Sequence, residues 1–95
     1  MGNAVTSPRA ISGATGAVTV GTSATLIRAA KPSRKSLFIQ NVSTQDVYIG
    51  YTSAVTTATG IKVAPSAGLE DDLYTGTVYG IVAASTSDVR FAEVY

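Results

Sequence analysis

The chain reads SLFIQNV at residues 36–42 and TVYGIVA at residues 77–83, two runs rich in aliphatic, aromatic and β-branched residues. Both runs are short, and neither shows the i, i+3, i+4 apolar spacing of a helix, so each predicts a β-strand. In the first run Leu37 and Ile39 share one face, while the other face carries Phe38. Since both faces are apolar, we expect this strand to be covered on both sides, by the core or by an interface, with the core favoured.

Shorter strands are expected outward from these two runs, at 17–20, 24–29, 47–51, 61–63, 69–74 and 88–95. Turn-forming residues separate them at spacings of about eight to twelve residues, which is typical of sandwiches and barrels. The connection at 43–46 is short, so the flanking strands are predicted to form an antiparallel hairpin. The fold class expected is all-β, an antiparallel β-sandwich that is Greek-key or jelly-roll-like.

The chain of 95 residues is long enough for one domain. Residues 1–16 are mostly Ala, Ser, Thr and Gly and show no sustained apolar period. We therefore predict an extended N-terminal arm at 1–23, followed by the sandwich domain at 24–95. No disulfide can stabilise so small a domain, and burial against a neighbouring chain would, which favours a homo-oligomer.

The composition argues against catalysis. The chain contains no His, no Cys and no Trp, and only six carboxylates stand against seven basic side chains. Thiol nucleophiles, Ser-His-Asp triads and disulfides are therefore impossible, and most metal sites lose their usual ligands. We expect no enzyme activity, no cofactor and no metal. No apolar run reaches the eighteen or so residues of a membrane span, so no membrane contact is expected.

Charge is distributed unevenly along the chain. Residues 1–45 hold five basic residues and no acid, whereas residues 46–95 hold two basic and six acidic residues, so +5 and −4 give the net charge of +1. The basic loop and the acidic run could meet head to tail between subunits, or both could be solvated loops. Nucleic-acid binding is disfavoured because no aromatic residue interleaves the basic ones. The candidate protein contacts are Arg9, Arg28, Lys31, Arg34, Lys35, Glu70, Asp71 and Asp72.

Three further patterns bear on sites. The adjacent acids at 70–72 lack the alternate spacing of a calcium loop, so they predict no metal site. The five tyrosines could line a carbohydrate groove, although core packing is favoured. In the last strand Val89 and Phe91 are expected to point inward, while Arg90, and with it Glu93, is expected to face water or a partner.

Several segments together carry a family resemblance: 34–42, 47–50, 59–65, 78–83 and 89–91. They resemble small β-sandwich virion proteins of tailed bacteriophages, which include head decoration (cement) proteins and minor structural proteins. The resemblance covers residues 24–95. It implies a structural protein on the capsid surface of the virion, made in the host cytoplasm, that stabilises the capsid by binding neighbouring subunits of the major capsid protein.

The same resemblance favours a trimer or another symmetric homo-oligomer, with the arm at 1–23 and the basic loop at 28–35 as contacts. Two alternatives remain open. One is a tail, baseplate or fibre component, and the other is a carbohydrate-binding β-sandwich module that uses the tyrosines.

Overall fold

The structure, a computed structural model, describes residues 9–95, so residues 1–8 of the predicted arm lie outside it. Eight strands form: β1 Gly13–Val20, β2 Thr25–Arg28, β3 Ser36–Asn41, β4 Val47–Gly50, β5 Ile61–Val63, β6 Gly68–Asp71, β7 Val78–Ile81 and β8 Ser87–Val94. Between residues 9 and 95 no helix is long and apolar enough to span a membrane. The all-β prediction is confirmed.

The strands form two antiparallel four-stranded sheets. The first has the order β1-β8-β3-β6 and the second has the order β2-β7-β4-β5. Strand β1 therefore pairs with β8, β2 with β7, β3 with β6 and β4 with β5. This nested pairing is a long hairpin folded over on itself, which is the topology of a jelly roll. The predicted antiparallel β-sandwich is confirmed, and of the Greek-key and jelly-roll topologies left open by the sequence the strand order is that of the jelly roll.

The core lies between the two sheets. Every second residue of a strand contributes to the core, because successive side chains point to opposite faces of the sheet. The buried apolar residues are Val20, Ile27, Leu37, Ile39, Val47, Ile49, Val63, Val78, Val82, Val89 and Phe91. The inward positions of Val89 and Phe91 are thus confirmed. On the other face of β3, Phe38 remains 41% exposed, so within one chain this strand is covered on one side only.

The predicted hairpin between the strands at 36–42 and 47–51 is wrong. Strand β3 lies in the first sheet and β4 in the second, so residues 42–46 cross between the sheets. Asn41, fully buried, organises the crossing. Its side-chain Nδ2 donates to the carbonyl oxygens of Gln45 (2.7 Å) and Val63 (2.9 Å), and its Oδ1 accepts from the backbone N–H of Ser43.

The boundary predicted at residue 23 lies too late in the chain. Strand β1 belongs to the sandwich and pairs with β8 along its whole length, from Gly13 opposite Val94 to Val20 opposite Ser87. The pairing continues to Ser12, which exchanges two backbone hydrogen bonds of 2.8 Å with Tyr95. Glycine, alanine and threonine give the first half of β1 little apolar contrast, so only its second half, residues 17–20, was predicted as a strand.

The two ends of the sandwich are formed by different connections. At one end lie residues 9–12, 29–35, 51–60 and 72–77 together with Tyr95. They are joined by the bonds Lys31 N to Thr75 O (2.8 Å) and Ile11 N to Tyr95 O (3.0 Å). At the other end lie residues 21–24, 42–46, 64–67 and 82–86, joined for example by Gln45 Nε2 to Ala84 O (2.7 Å). We call these the Ile11 end and the Val42 end.

Candidate self-association surface

A buried ion cluster lies just inside the Ile11 end. Glu93 is 1% exposed, and its Oε1 accepts a hydrogen bond of 2.7 Å from Arg28 Nη2. Its Oε2 accepts one of 3.0 Å from Nη1 of the buried Arg34. The guanidinium of Arg28 also lies 4.2 Å from the centre of the Phe91 ring. The expectation that Glu93 faces water or a partner is therefore wrong.

Arg34 links two connections of the Ile11 end. Its Nη2 donates to the carbonyl oxygens of Gly76 (2.7 Å) and Tyr74 (3.2 Å), and its Nη1 also donates to that of Ala29 (3.3 Å). Because Arg34 is 4% exposed, its charge is used inside the chain. Among the predicted contact residues, Arg34 thus supports the fold and presents nothing to another molecule.

The surroundings of Glu93 decide its protonation. Burial by itself raises the pKa of a carboxyl group, because it disfavours the charged form. The hydrogen bonds and positive charges of Arg28 and Arg34 outweigh that effect and hold the pKa of Glu93 below its usual value. Glu93 is therefore ionised in the folded protein at neutral pH, and the cluster carries one net positive charge.

The predicted acidic run is engaged within the chain as well. Asp71 accepts hydrogen bonds from the backbone N–H groups of Leu73 (2.9 Å) and Tyr74 (3.0 Å) and from the hydroxyl of Tyr51 (2.9 Å). These bonds outweigh the opposing effect of burial and lower the pKa of Asp71, while the bond to Asp71 raises the pKa of Tyr51. Asp72 accepts from the hydroxyl of Ser36 at 2.6 Å.

The acidic run and the basic loop converge on the same end of the molecule. They therefore cannot form the two opposite sides of the head-to-tail contact that the charge pattern suggested. Glu70, the third acid, lies exposed opposite Phe38 on the outer face of the first sheet. Arg9 and Lys35 are exposed, and the Lys31 ammonium lies 3.9 Å from the centre of the Tyr95 ring.

No single groove gathers the tyrosines of residues 9–95. Tyr51 and Tyr74 stack at 4.1 Å with an interplanar angle of 32° at the Ile11 end. Tyr48 and Tyr79 lie on the outer face of the second sheet, opposite Ile81 and Gly50 in the register. Within the same described range, the acids also do not form a group of three or more that could hold a metal ion.

Exposed apolar side chains are the surface feature that sequence reasoning missed. Eight large hydrophobic residues in the described chain are exposed, and the four most exposed all lie at the Ile11 end: Ile11 (94%), Leu73 (94%), Ile61 (60%) and Tyr51 (52%). They are scattered along the sequence, so only the jelly-roll topology brings them to one end. The concentration of large exposed apolar side chains at this end makes it the candidate interaction surface of the described chain.

A groove of about 460 Å³ opens at this end of the sandwich. Its walls include Tyr51, Val55, Ile61 and Leu69. Val55 folds against β4 at Gly50, where an added Cβ would lie 2.6 Å from the Val55 Cγ2 atom. The Val55 side chain therefore packs directly on the backbone of Gly50 and shapes the groove wall.

The geometry defines a jelly-roll β-sandwich with one apolar end. Among solved structures, the chain is similar to a protein from work describing Bacillus endospore appendages as a novel family of disulfide-linked pili. The TM-score is 0.54 at 19% sequence identity, and the match covers 100% of this chain and 96% of the other. The sequence matches no protein-family model and no curated protein.

This comparison corrects the resemblance drawn from the sequence. The similar structure belongs to a bacterial endospore pilus family and not to a phage virion, so the predicted resemblance to capsid decoration proteins is wrong. The predicted capsid-stabilising function, its tail and carbohydrate-binding alternatives, and the location on a capsid surface are wrong for the same reason. The major capsid protein, named as a partner through that resemblance, remains a prediction without structural support.

Proposed function

We propose that this chain is a non-enzymatic structural subunit that associates with copies of itself into a pilus-like polymer. The gathering of the four most exposed large hydrophobic residues of the described chain at one end carries the proposal. A monomer would leave these side chains in water, whereas a neighbouring copy would bury them. The likeness of fold to a pilus protein along the whole chain adds support.

The polymer would be held together without covalent links between subunits. The similar structure belongs to pili described as disulfide-linked, but this sequence contains no cysteine. Its cohesion would therefore come from buried apolar area and from complementary charges. The homo-oligomer expected from the sequence is kept as part of this proposal.

Sedimentation velocity over a wide range of protein concentrations tests the proposal. We expect the weight-average sedimentation coefficient to rise continuously with concentration, because each added subunit presents a new apolar end. A single species with the mass of one chain at every concentration, up to about 1 mM, would contradict self-association, since interfaces of this kind reach that affinity even when they are weak.

A further inference from the structure

The two ends of the sandwich differ in charge. The charged side chains at the Ile11 end number eight and have a net charge of +2; they are Arg9, Arg28, Lys31, Arg34, Lys35, Asp71, Asp72 and Glu93. At the Val42 end, Asp88 pairs with Arg90 at 2.9 Å, which leaves Asp46 and a net charge of −1. The two remaining charged residues, Lys62 and Glu70, lie on strands and cancel each other. The ends are therefore electrostatically complementary.

The two ends also match in polarity. The Val42 end exposes small apolar side chains on its connections, and Val42 itself is 42% exposed. Its other exposed apolar residues are Ala64, Pro65, Ala83 and Ala84. The Ile11 end offers the larger apolar residues and the groove beside Ile61. A surface of small residues can approach such a groove closely, which good packing at an interface core requires.

We propose that the Ile11 end of one copy docks on the Val42 end of the next copy. This inference rests on the self-association proposed above and specifies its surfaces. In this contact Ile11, Leu73 and the groove beside Ile61 cover the Val42 end of the next copy. The side chains of Lys31 and Lys35, which take part in no ion pair within residues 9–95, face the region of Asp46.

The contact is heterologous, because it joins two different surfaces of the same chain. The two surfaces lie at opposite ends of the strands, as the register from Gly13–Val94 to Val20–Ser87 shows. A bound pair of copies therefore leaves one Ile11 end and one Val42 end unused. A contact of this type repeats and produces an open filament unless its rotation closes a ring.

The first test removes the apolar side of the contact with the double variant Ile11→Ser, Leu73→Ser. Both side chains are 94% exposed, so the fold should not depend on them. The contact would bury both of these large apolar side chains. Replacing them with serine should therefore weaken the association at least about 100-fold. The matched control is Leu26→Ser, which alters an exposed leucine (45%) on the outer face of the second sheet. It should assemble like the unaltered chain.

The second test uses complementation. The double variant Val42→Lys, Asp46→Lys damages only the Val42 end, and alone it should stay monomeric. Mixed with the Ile11→Ser, Leu73→Ser variant, it should form a one-to-one dimer, because each partner retains one of the two surfaces. Sedimentation velocity measures both results, and circular dichroism checks that each variant is folded.

The outcomes separate the two proposals. If the unaltered chain assembles and the Ile11→Ser, Leu73→Ser variant assembles equally well, the end-to-end contact is overturned while self-association survives. The end-to-end contact is likewise overturned if the two damaged variants fail to form a dimer when mixed. If the unaltered chain remains a monomer at every concentration, both the contact and the proposed function are overturned.

Discussion

At the scale of single residues, the most consequential arrangement is the buried cluster of Glu93 with its two arginines. Glu93 follows Val89 and Phe91 in strict alternation along β8, so the period of the strand places it inside the sandwich. Its charge favoured the opposite interpretation from the sequence. The paired guanidinium groups of Arg28 and Arg34 make its burial possible, and they lie 65 and 59 residues away along the chain. Pairing over such distances depends on the fold and leaves no local pattern.

Arg34→Ala should destabilise the protein strongly. The substitution leaves the buried carboxylate of Glu93 with only Arg28, and removing one partner of a buried pair costs about 3–5 kcal/mol. The matched control is Arg90→Ala, which removes an exposed pair with Asp88 and should change the free energy of unfolding very little. Urea unfolding of the two variants measures the difference. If Arg34→Ala lowered the free energy of unfolding no more than Arg90→Ala does, the cluster would not stabilise the fold.

The stability of the protein should fall in acid because of Glu93. Its pKa is lowered in the folded chain below the ordinary value of 4.5, so its contribution is fully present above that pH. The contribution is lost as the pH falls through the folded-state pKa. The variant Glu93→Gln should be less stable than the unaltered chain at pH 7 and should show a shallower decline between about pH 5 and pH 2. Parallel acid profiles of the two proteins, measured by urea unfolding, would contradict this.

At the scale of strands, most elements were predictable and their partners were not. The strand at 36–42 and the later strands were recognised because turn residues separate short apolar runs. The sheet to which a strand belongs depends on contacts far apart in sequence, so β3 and β4 were paired incorrectly. Of the first strand, only residues 17–20 were predicted. Its first half was missed because the inward positions there include Gly16, where the ring of Phe91 occupies the space of a side chain.

Gly16→Ala tests whether β1 is an integral strand. A Cβ at this position would lie 2.7 Å from the Phe91 Cζ atom, and Phe91 is held in the core. Such overpacking costs about 1–3 kcal/mol. Gly21→Ala is the matched control, because an added Cβ there meets nothing within 4 Å. Thermal unfolding should show a lower midpoint for Gly16→Ala and little change for Gly21→Ala. An unchanged midpoint for Gly16→Ala would mean that β1 packs loosely, as an arm would.

At the scale of the whole molecule, the candidate surface exists only once a single chain has folded. Ile11, Tyr51, Ile61 and Leu73 are far apart in sequence, and each precedes, begins or follows a strand. The nested pairing of the jelly roll turns these positions toward one end. Several of the residues that charge predicted as protein contacts instead form ion pairs or hydrogen bonds within the chain. The charge pattern therefore indicated this end of the molecule but not its exposed apolar side chains.

Assembly should be insensitive to reducing agents. The chain contains no cysteine, so no disulfide can join its copies. We expect identical sedimentation profiles with and without a thiol reductant. High salt should instead weaken the contact between the oppositely charged ends, because it screens exposed charges. Assembly that disappears on reduction would point to a disulfide-bearing contaminant and contradict a polymer made of this chain alone.

Negative-stain electron microscopy of the purified chain at high concentration is the most direct test of polymer formation. We predict extended filaments whose subunits repeat along the direction of the strands, and their loss in the Ile11→Ser, Leu73→Ser variant. Fields of isolated particles with the dimensions of one sandwich would contradict the account.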